Sequence, residues 1–164
     1  MNANAQSMPF DPEALGRKYQ EERDKRLRAD GNDQYQEVSG EFAYFVEDPY
    51  IKSELKRDAI EDEVEVVIIG GGFGGMLAAA RLHDAGLTDF RIIEKGGDFG
   101  GTWYWNRYPG ASCDIESYVY FPLLEKTGFV PKHKYTNAPE TLEYCHVIAK
   151  TYGLHERALM QTMV

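Results

Sequence analysis

Apolar residues are unevenly spread along this chain, and their spacing changes character near Glu61. Before that point they are sparse among charges. Asp11-Pro12-Glu13 supplies an N-cap carboxylate, a proline at the first helical position and an acid in the first turn, the ingredients of a helix start. The run that follows, ALGRKYQEERDKRLRAD, predicts a helix ending at Gly31, with Leu15, Tyr19 and Leu27 as its chief apolar residues. So thin a stripe builds no core of its own. Two readings stand: a solvated arm held by alternating charge pairs, or an element that docks across something larger. From Asn32 to Ile60 the aromatics Tyr35, Phe42, Tyr44, Phe45 and Tyr50 predict an extended segment that packs down, of no clear element type.

After Glu61 the pattern sharpens. Val64-Glu65-Val66-Val67-Ile68-Ile69 is a short β-branched run, as expected of a strand buried on both faces of a parallel sheet. A glycine cluster follows, then the helix-forming MLAAARLHDAG, with Met76, Leu77, Ala80 and Leu82 as its apolar residues and Gly86 placed to end it. Asp89 to Glu94 reads as a second strand. Strand, glycine turn, helix and strand in this order predict a right-handed βαβ unit. Asn137-Ala138-Pro139-Glu140 opens a further helix with Leu142, Cys145, Ala149 and Tyr152 on one face and Gly153 at its end. Ala158 to Val164 then predicts the start of a third strand, so the chain is expected to stop on an interior element.

Composition narrows the function classes. At 164 residues the chain has one domain's length. A formal charge of −9 argues against nucleic acid, whose phosphates call for a basic surface, and leaves no basic patch for anionic lipid. The first residues hold no apolar run fit for a signal peptide, and no stretch is apolar for long enough to span a bilayer. The expectation is a soluble, cytoplasmic protein with no membrane partner. Cys113 and Cys145 stand in no metal-ligand spacing; packing is the expected role for both, with redox chemistry the alternative.

Three features point to chemistry. Gly70-Gly71-Gly72-Phe73-Gly74-Gly75 is a G-x-G-x-x-G between a strand and a helix. In that context Gly70 allows the tight turn, Gly72 a close approach to a pyrophosphate, and Gly75 tight helix packing. The helix N-terminus then offers free N–H groups and a positive dipole end to phosphates. Glu94 at the second strand's end can accept hydrogen bonds from ribose hydroxyls and would repel a 2′-phosphate, which suits FAD or NAD; the alternative is a solvated terminal charge. Finally, the segment from Lys95 to Gly110 is loaded with glycine and large aromatics. Such a segment can lay backbone along a flavin's ribityl chain and set flat faces against its ring, or it can be a structural aromatic cluster.

The run GGTWYWNRYPGASCDIESYVY, Gly100 to Tyr120, resembles the corresponding segment of Baeyer–Villiger monooxygenases, flavoproteins that turn ketones into esters or lactones. GG-x-W is shared with other flavin monooxygenases; NRYPG and CDIES are more specific. The resemblance runs from about Val64 to Val164, and more weakly includes the charged arm. It implies an α/β, Rossmann-like FAD/NAD(P)-binding fold, incomplete, preceded by a charged helical extension. The division it implies is an N-terminal helical extension over 1–60 and the truncated N-terminal part of an FAD-binding domain over 61–164. It also implies FAD and NADP as cofactors, and a small ketone and O2 as reaction partners.

The resemblance further implies roles residue by residue. Gly70, Gly72, Phe73 and Gly75 would hold the FAD pyrophosphate and Glu94 the adenosine ribose. Gly101, Thr102 and Trp103 would line the flavin's path, with Tyr120 touching it. Ser112, Cys113 and Asp114 would lie where NADP reaches the flavin. Asp114 would be catalytic, pairing with an arginine that polarises the substrate carbonyl; a carboxylate in an apolar pocket needs such a partner to stay charged. The competing role for Asp114 is an N-cap for Ile115-Glu116-Ser117.

The sequence holds no second G-x-G-x-x-G, no F-x-G-x-x-x-H-x-x-x-W element and no arginine in matching context, since Arg107 and Arg157 lie in other segments. The chain alone is therefore expected to lack turnover. Three function readings follow: the FAD-binding portion of a ketone monooxygenase, a portion of a nitrogen- or sulfur-oxidising flavin monooxygenase, and a non-catalytic dinucleotide-binding module.

Overall fold

A computed structural model describes residues 9–36, 38–53 and 55–164. These fall into two compact units, divided between Val46 and Glu47. Residues 47–60, which the composition groups with the charged arm, thus pack with the glycine-rich part.

In the first unit, α1 spans Pro12–Asp24. The Asp11 carboxylate accepts from the Glu13 and Ala14 amides at 2.9 and 3.3 Å, satisfying two of the helix's orphan donors. The helix stops seven residues short of the expected Gly31. Beyond Asp24 come Lys25, Arg26 and Arg28 with only Leu27 apolar, and α1 buries no residue at all. A short helix with neither packing nor a C-terminal cap frays early. Arg28 turns instead to Asp30, whose carboxylate accepts from its Nε at 2.8 Å. The expected packed-down extended segment is also corrected. Single 3₁₀ stretches occupy Gly31–Gln34 and Gly40–Phe45, and Tyr35, Phe42, Tyr44 and Phe45 are exposed.

The second unit holds a parallel three-stranded sheet in the order β1 (Val66–Ile69), β2 (Phe90–Ile93), β3 (Ala158–Leu159). Val66 to Ile69 pair with Phe90 to Ile93, and Ile92 and Ile93 pair with Ala158 and Leu159. Between β1 and β2 runs α2 (Phe73–Asp84). Three single turns follow β2: α3 (Thr102–Trp105), α4 (Ser117–Tyr120) and α5 (Leu124–Thr127). The long α6 (Ala138–Thr151) then leads through a 3₁₀ turn, Leu154–Arg157, into β3. Asn137 caps α6, its side chain accepting from the Glu140 amide at 3.1 Å.

Alternation fixes which side of the sheet is covered. Ile68, Phe90 and Ile92 join Met76, Ala79 and Ala80 of α2 and Cys145, Ile148 and Ala149 of α6 in one buried cluster. On the opposite face of β1, Val67 is 54% exposed and Ile69 70%. The run is thus buried on one face, and the expectation of burial on both is corrected. The third strand is two residues long where seven were expected. Gln161 adopts φ +51°, and the amides of Gln161 and Thr162 turn back to the carbonyls of Gly96 and Glu94 at 2.9 Å each. That ends the ladder.

Candidate dinucleotide-binding site

The site forms where β1 and β2 end and α2 begins. Gly70, at φ +98°, makes the left-handed turn off β1 that residues with a Cβ avoid. A Cβ on Gly75 would overlap the Gly70 carbonyl oxygen, so this position must be glycine for α2 to start against the strand. No side chain caps α2, which leaves the first-turn amides without an intrahelical partner. Nothing lies within 4 Å of a Cβ built at Gly74. The helix therefore begins as an open, uncapped positive pole, the arrangement that receives a phosphate.

Glu94 closes one side. It is 5% exposed, so a solvated terminal charge does not describe it. One carboxylate oxygen accepts from the Gly71 amide and the other from the Gly96 amide at 2.6 Å. Each carboxylate oxygen keeps a second acceptor direction.

The glycine-rich segment after β2 packs against this cradle through backbone. The Gly100 amide donates to the Gly71 carbonyl at 3.0 Å. A Cβ on Gly101 would stand 2.7 Å from the Gly72 Cα. Gly101 has φ +53°, so both its conformation and its neighbour require glycine. Thr102 follows as the first residue of α3 and is exposed, whereas Trp103 and Tyr104 are buried. The Trp103 indole N–H donates to the Tyr120 hydroxyl at 3.0 Å. Phe73 meets Tyr120 edge-on, ring centroids 5.6 Å apart. Phe73, Trp103 and Tyr120 thus form one aromatic wall beside the α2 N-terminus. Burial, then the nearby Cys113, Cys145 and Asp114, raise the Tyr120 phenol above its ordinary value, against the indole hydrogen bond that lowers it.

Ser112, Cys113 and Asp114 stand on a neighbouring turn. Ser112 pairs with Asn137 in an isolated antiparallel bridge, and the Cys113 amide donates to the Thr136 carbonyl at 2.8 Å. The Cys113 side chain lies in the core, so only Ser112 and Asp114, both exposed, offer side-chain surface there. Asp114 does not cap a helix: α4 begins at Ser117 with Glu116 at its N-cap position and no side-chain cap. Cys145 is buried and its thiol pushed up to about 12 by desolvation, an inert packing residue.

One part of the site had no signal in the sequence. Asp48 accepts from the Tyr104 hydroxyl at 2.7 Å and from the Gly97 amide at 2.8 Å, bracing the segment that carries Trp103.

Comparison with known proteins agrees with this fold. The model of an NAD(P)-binding Rossmann-like domain matches residues 68–128. A Baeyer–Villiger monooxygenase of Stachybotrys chlorohalonatus is 49% identical over 162 residues, covering 98% of this chain and 26% of that protein. The chain matches the amino-terminal part of Baeyer–Villiger monooxygenases. It spans about a quarter of the length of these relatives. Among solved members, the polycyclic ketone monooxygenase of Thermothelomyces thermophila superposes with a TM-score of 0.73 at 40% identity, covering 91% of this chain and 25% of that one. A second, OTEMO in complex with FAD and NADP, gives 0.59 at 32% identity over 64% of this chain and 20% of its own.

Proposed function

We propose that this chain is the FAD-binding portion of an NADPH- and O2-dependent Baeyer–Villiger monooxygenase that converts a small-molecule ketone to an ester or lactone in the cytoplasm. The observation that carries this reading is the pairing of the open α2 N-terminus with a buried Glu94 across a turn that only glycine can make. The residues fit the cofactor. Gly70, Gly72, Phe73 and Gly75 shape a cradle for its pyrophosphate, whose charge the helix pole stabilises. Glu94 receives the adenosine ribose with its remaining acceptor directions. Gly101 and Thr102 form the floor along which the flavin extends, and Phe73, Trp103 and Tyr120 the apolar wall that keeps water from it.

FAD held by these residues would supply the redox chemistry that couples NADPH and O2 to insertion of one oxygen atom into the ketone, the other leaving as water. The chain's own share is binding, orientation and exclusion of water. Ser112 and Asp114 provide the exposed polar edge toward which NADP is directed. Asp114 is assigned the role of catalytic carboxylate, pairing with an arginine that polarises the reacting carbonyl.

Titration of the purified chain with FAD, followed by quenching of flavin fluorescence, tests the reading. Binding is expected, and Glu94→Ala is expected to weaken it at least about tenfold, the loss of one charge-assisted contact. Equal binding by the wild type and Glu94→Ala would refute the ribose assignment.

A further inference from the structure

Asp48 lies outside every motif of the site, 49 residues from Gly97 and 56 from Tyr104, yet its carboxylate gathers donors from both and from Tyr50. One oxygen accepts from the Tyr104 hydroxyl and from the Tyr50 amide at 2.9 Å; the other accepts from the Gly97 amide and lies 2.8 Å from the same hydroxyl. Tyr104 is buried, and its ring crosses the glycine segment. A Cβ on Gly96 would stand 3.1 Å from the ring, and one on Gly97 would overlap Ile51. The Tyr50 ring covers Tyr104 from outside, centroids 4.7 Å apart.

Two levers run from this point into the site. Tyr104 and Trp103 are consecutive residues of the single turn α3. Fixing the phenol therefore fixes the rotation of that turn, and with it the indole that bonds Tyr120. The second lever runs through the Gly97 amide to its neighbour Gly96, whose own amide holds Glu94.

The geometry points to Asp48 as a positioning residue: through the Tyr104 hydroxyl and the Gly97 amide it sets the Gly96–Trp103 segment in the form that FAD requires. This rests on the FAD reading of the cradle. The glycines of the segment give it freedom that must be lost before a flavin can bind, and Asp48 removes that freedom beforehand, which is preorganisation. The contacts come from a stretch, Glu47–Ile51, with no glycine motif and no place in the sheet.

The test uses the whole 164-residue chain with FAD as the probe. Asp48→Asn keeps the size of the side chain but has one acceptor oxygen to serve both Tyr104 and Gly97. Tyr104→Phe keeps the ring and loses only the hydroxyl. Each is expected to weaken FAD binding about tenfold and to alter the visible circular dichroism of the bound flavin. The double variant should lose less than the sum of the two single losses, because both substitutions disturb the same Asp48–Tyr104 contact. Asp62→Asn, which breaks the ion pair with Arg91 on the far side of β2, is the control for general destabilisation and should leave FAD affinity within about twofold.

Wild-type affinity and an unaltered flavin spectrum in both single variants would overturn the inference, as would a strictly additive double variant or an equal loss in Asp62→Asn. If Asp48→Asn fails to fold, Tyr104→Phe decides. Failure of the wild type to bind FAD would instead remove the FAD reading itself, and this inference with it.

Discussion

Glu94 joins the two turns of the site with a single carboxylate, one oxygen on each amide. Its type and place at a strand end are visible in the sequence, as are the glycines whose φ and close contacts the structure explains. Asp48 and Tyr104 are not visible in this way, because no local spacing relates residues 56 apart. Their protonation behaviour gives a prediction. Burial pushes Asp48 up, but hydrogen bonds from Tyr104 and the amides of Tyr50, Gly97 and Ile51 outweigh it, so its carboxyl lies below the ordinary 3.8. Burial first, then the bond to Asp48 and its charge, raise the Tyr104 phenol above the ordinary 10.0. A depressed acid contributes stability that is present above 3.8 and lost as pH falls through its folded value; a raised phenol contributes stability that is present below 10.0 and lost as pH rises through its folded value. The difference in melting temperature between wild type and Asp48→Asn should thus stay constant from about pH 5 to about pH 9 and shrink in acid. Thermal melts across that range measure it, and a difference that peaks near neutrality would contradict the assignment.

At the scale of elements, periodicity and capping residues placed β1, α2, β2 and α6 to within a few residues. Where the elements end was less legible. α1 stops at Asp24 for want of packing, and β3 stops at Leu159 because the following amides are claimed by Gly96 and Glu94. Both limits are set by partners elsewhere or by their lack. Helix starts are encoded more fully: α1 has Asp11 at its cap with Pro12 and Glu13 in the first turn, and α6 has Asn137 at the cap, Pro139 in the first turn and Glu140 three residues on. The Glu140 carboxylate reaches across to the Lys132 amide at 2.8 Å, so the cap is tied to the preceding turn. Asn137→Ala is expected to cost about 1 kcal/mol, lowering the melting temperature by about 3 °C for a chain of this size. Calorimetry checks this; an unchanged melting temperature would mean that the packing of α6 fixes its start without the cap.

The whole molecule is two units whose boundary, between Val46 and Glu47, differs from the change in composition near Glu61. Among the described residues no helix is long and apolar enough to cross a membrane, and no three or more His, Cys, Asp or Glu side chains gather as metal ligands would. The sequence carries a single G-x-G-x-x-G, and one glycine cradle is built from it. NADPH-dependent ester formation from a cyclic ketone is accordingly expected to be absent when this chain is assayed alone with FAD, with product formation followed by gas chromatography. Ester above a no-protein control would show that the chain suffices.

By itself the sequence determined the βαβ unit, the glycine turn, the acidic strand end and the aromatic segment, because each is written in neighbouring residues through period, cap and conformational tolerance. Only the tertiary structure decided that β1 is bare on one face, that Cys113 turns inward while Asp114 stays out, and that Asp48 braces Tyr104. Those outcomes depend on which distant surfaces meet, and burial and hydrogen bonding at such meetings leave no periodic mark along the chain.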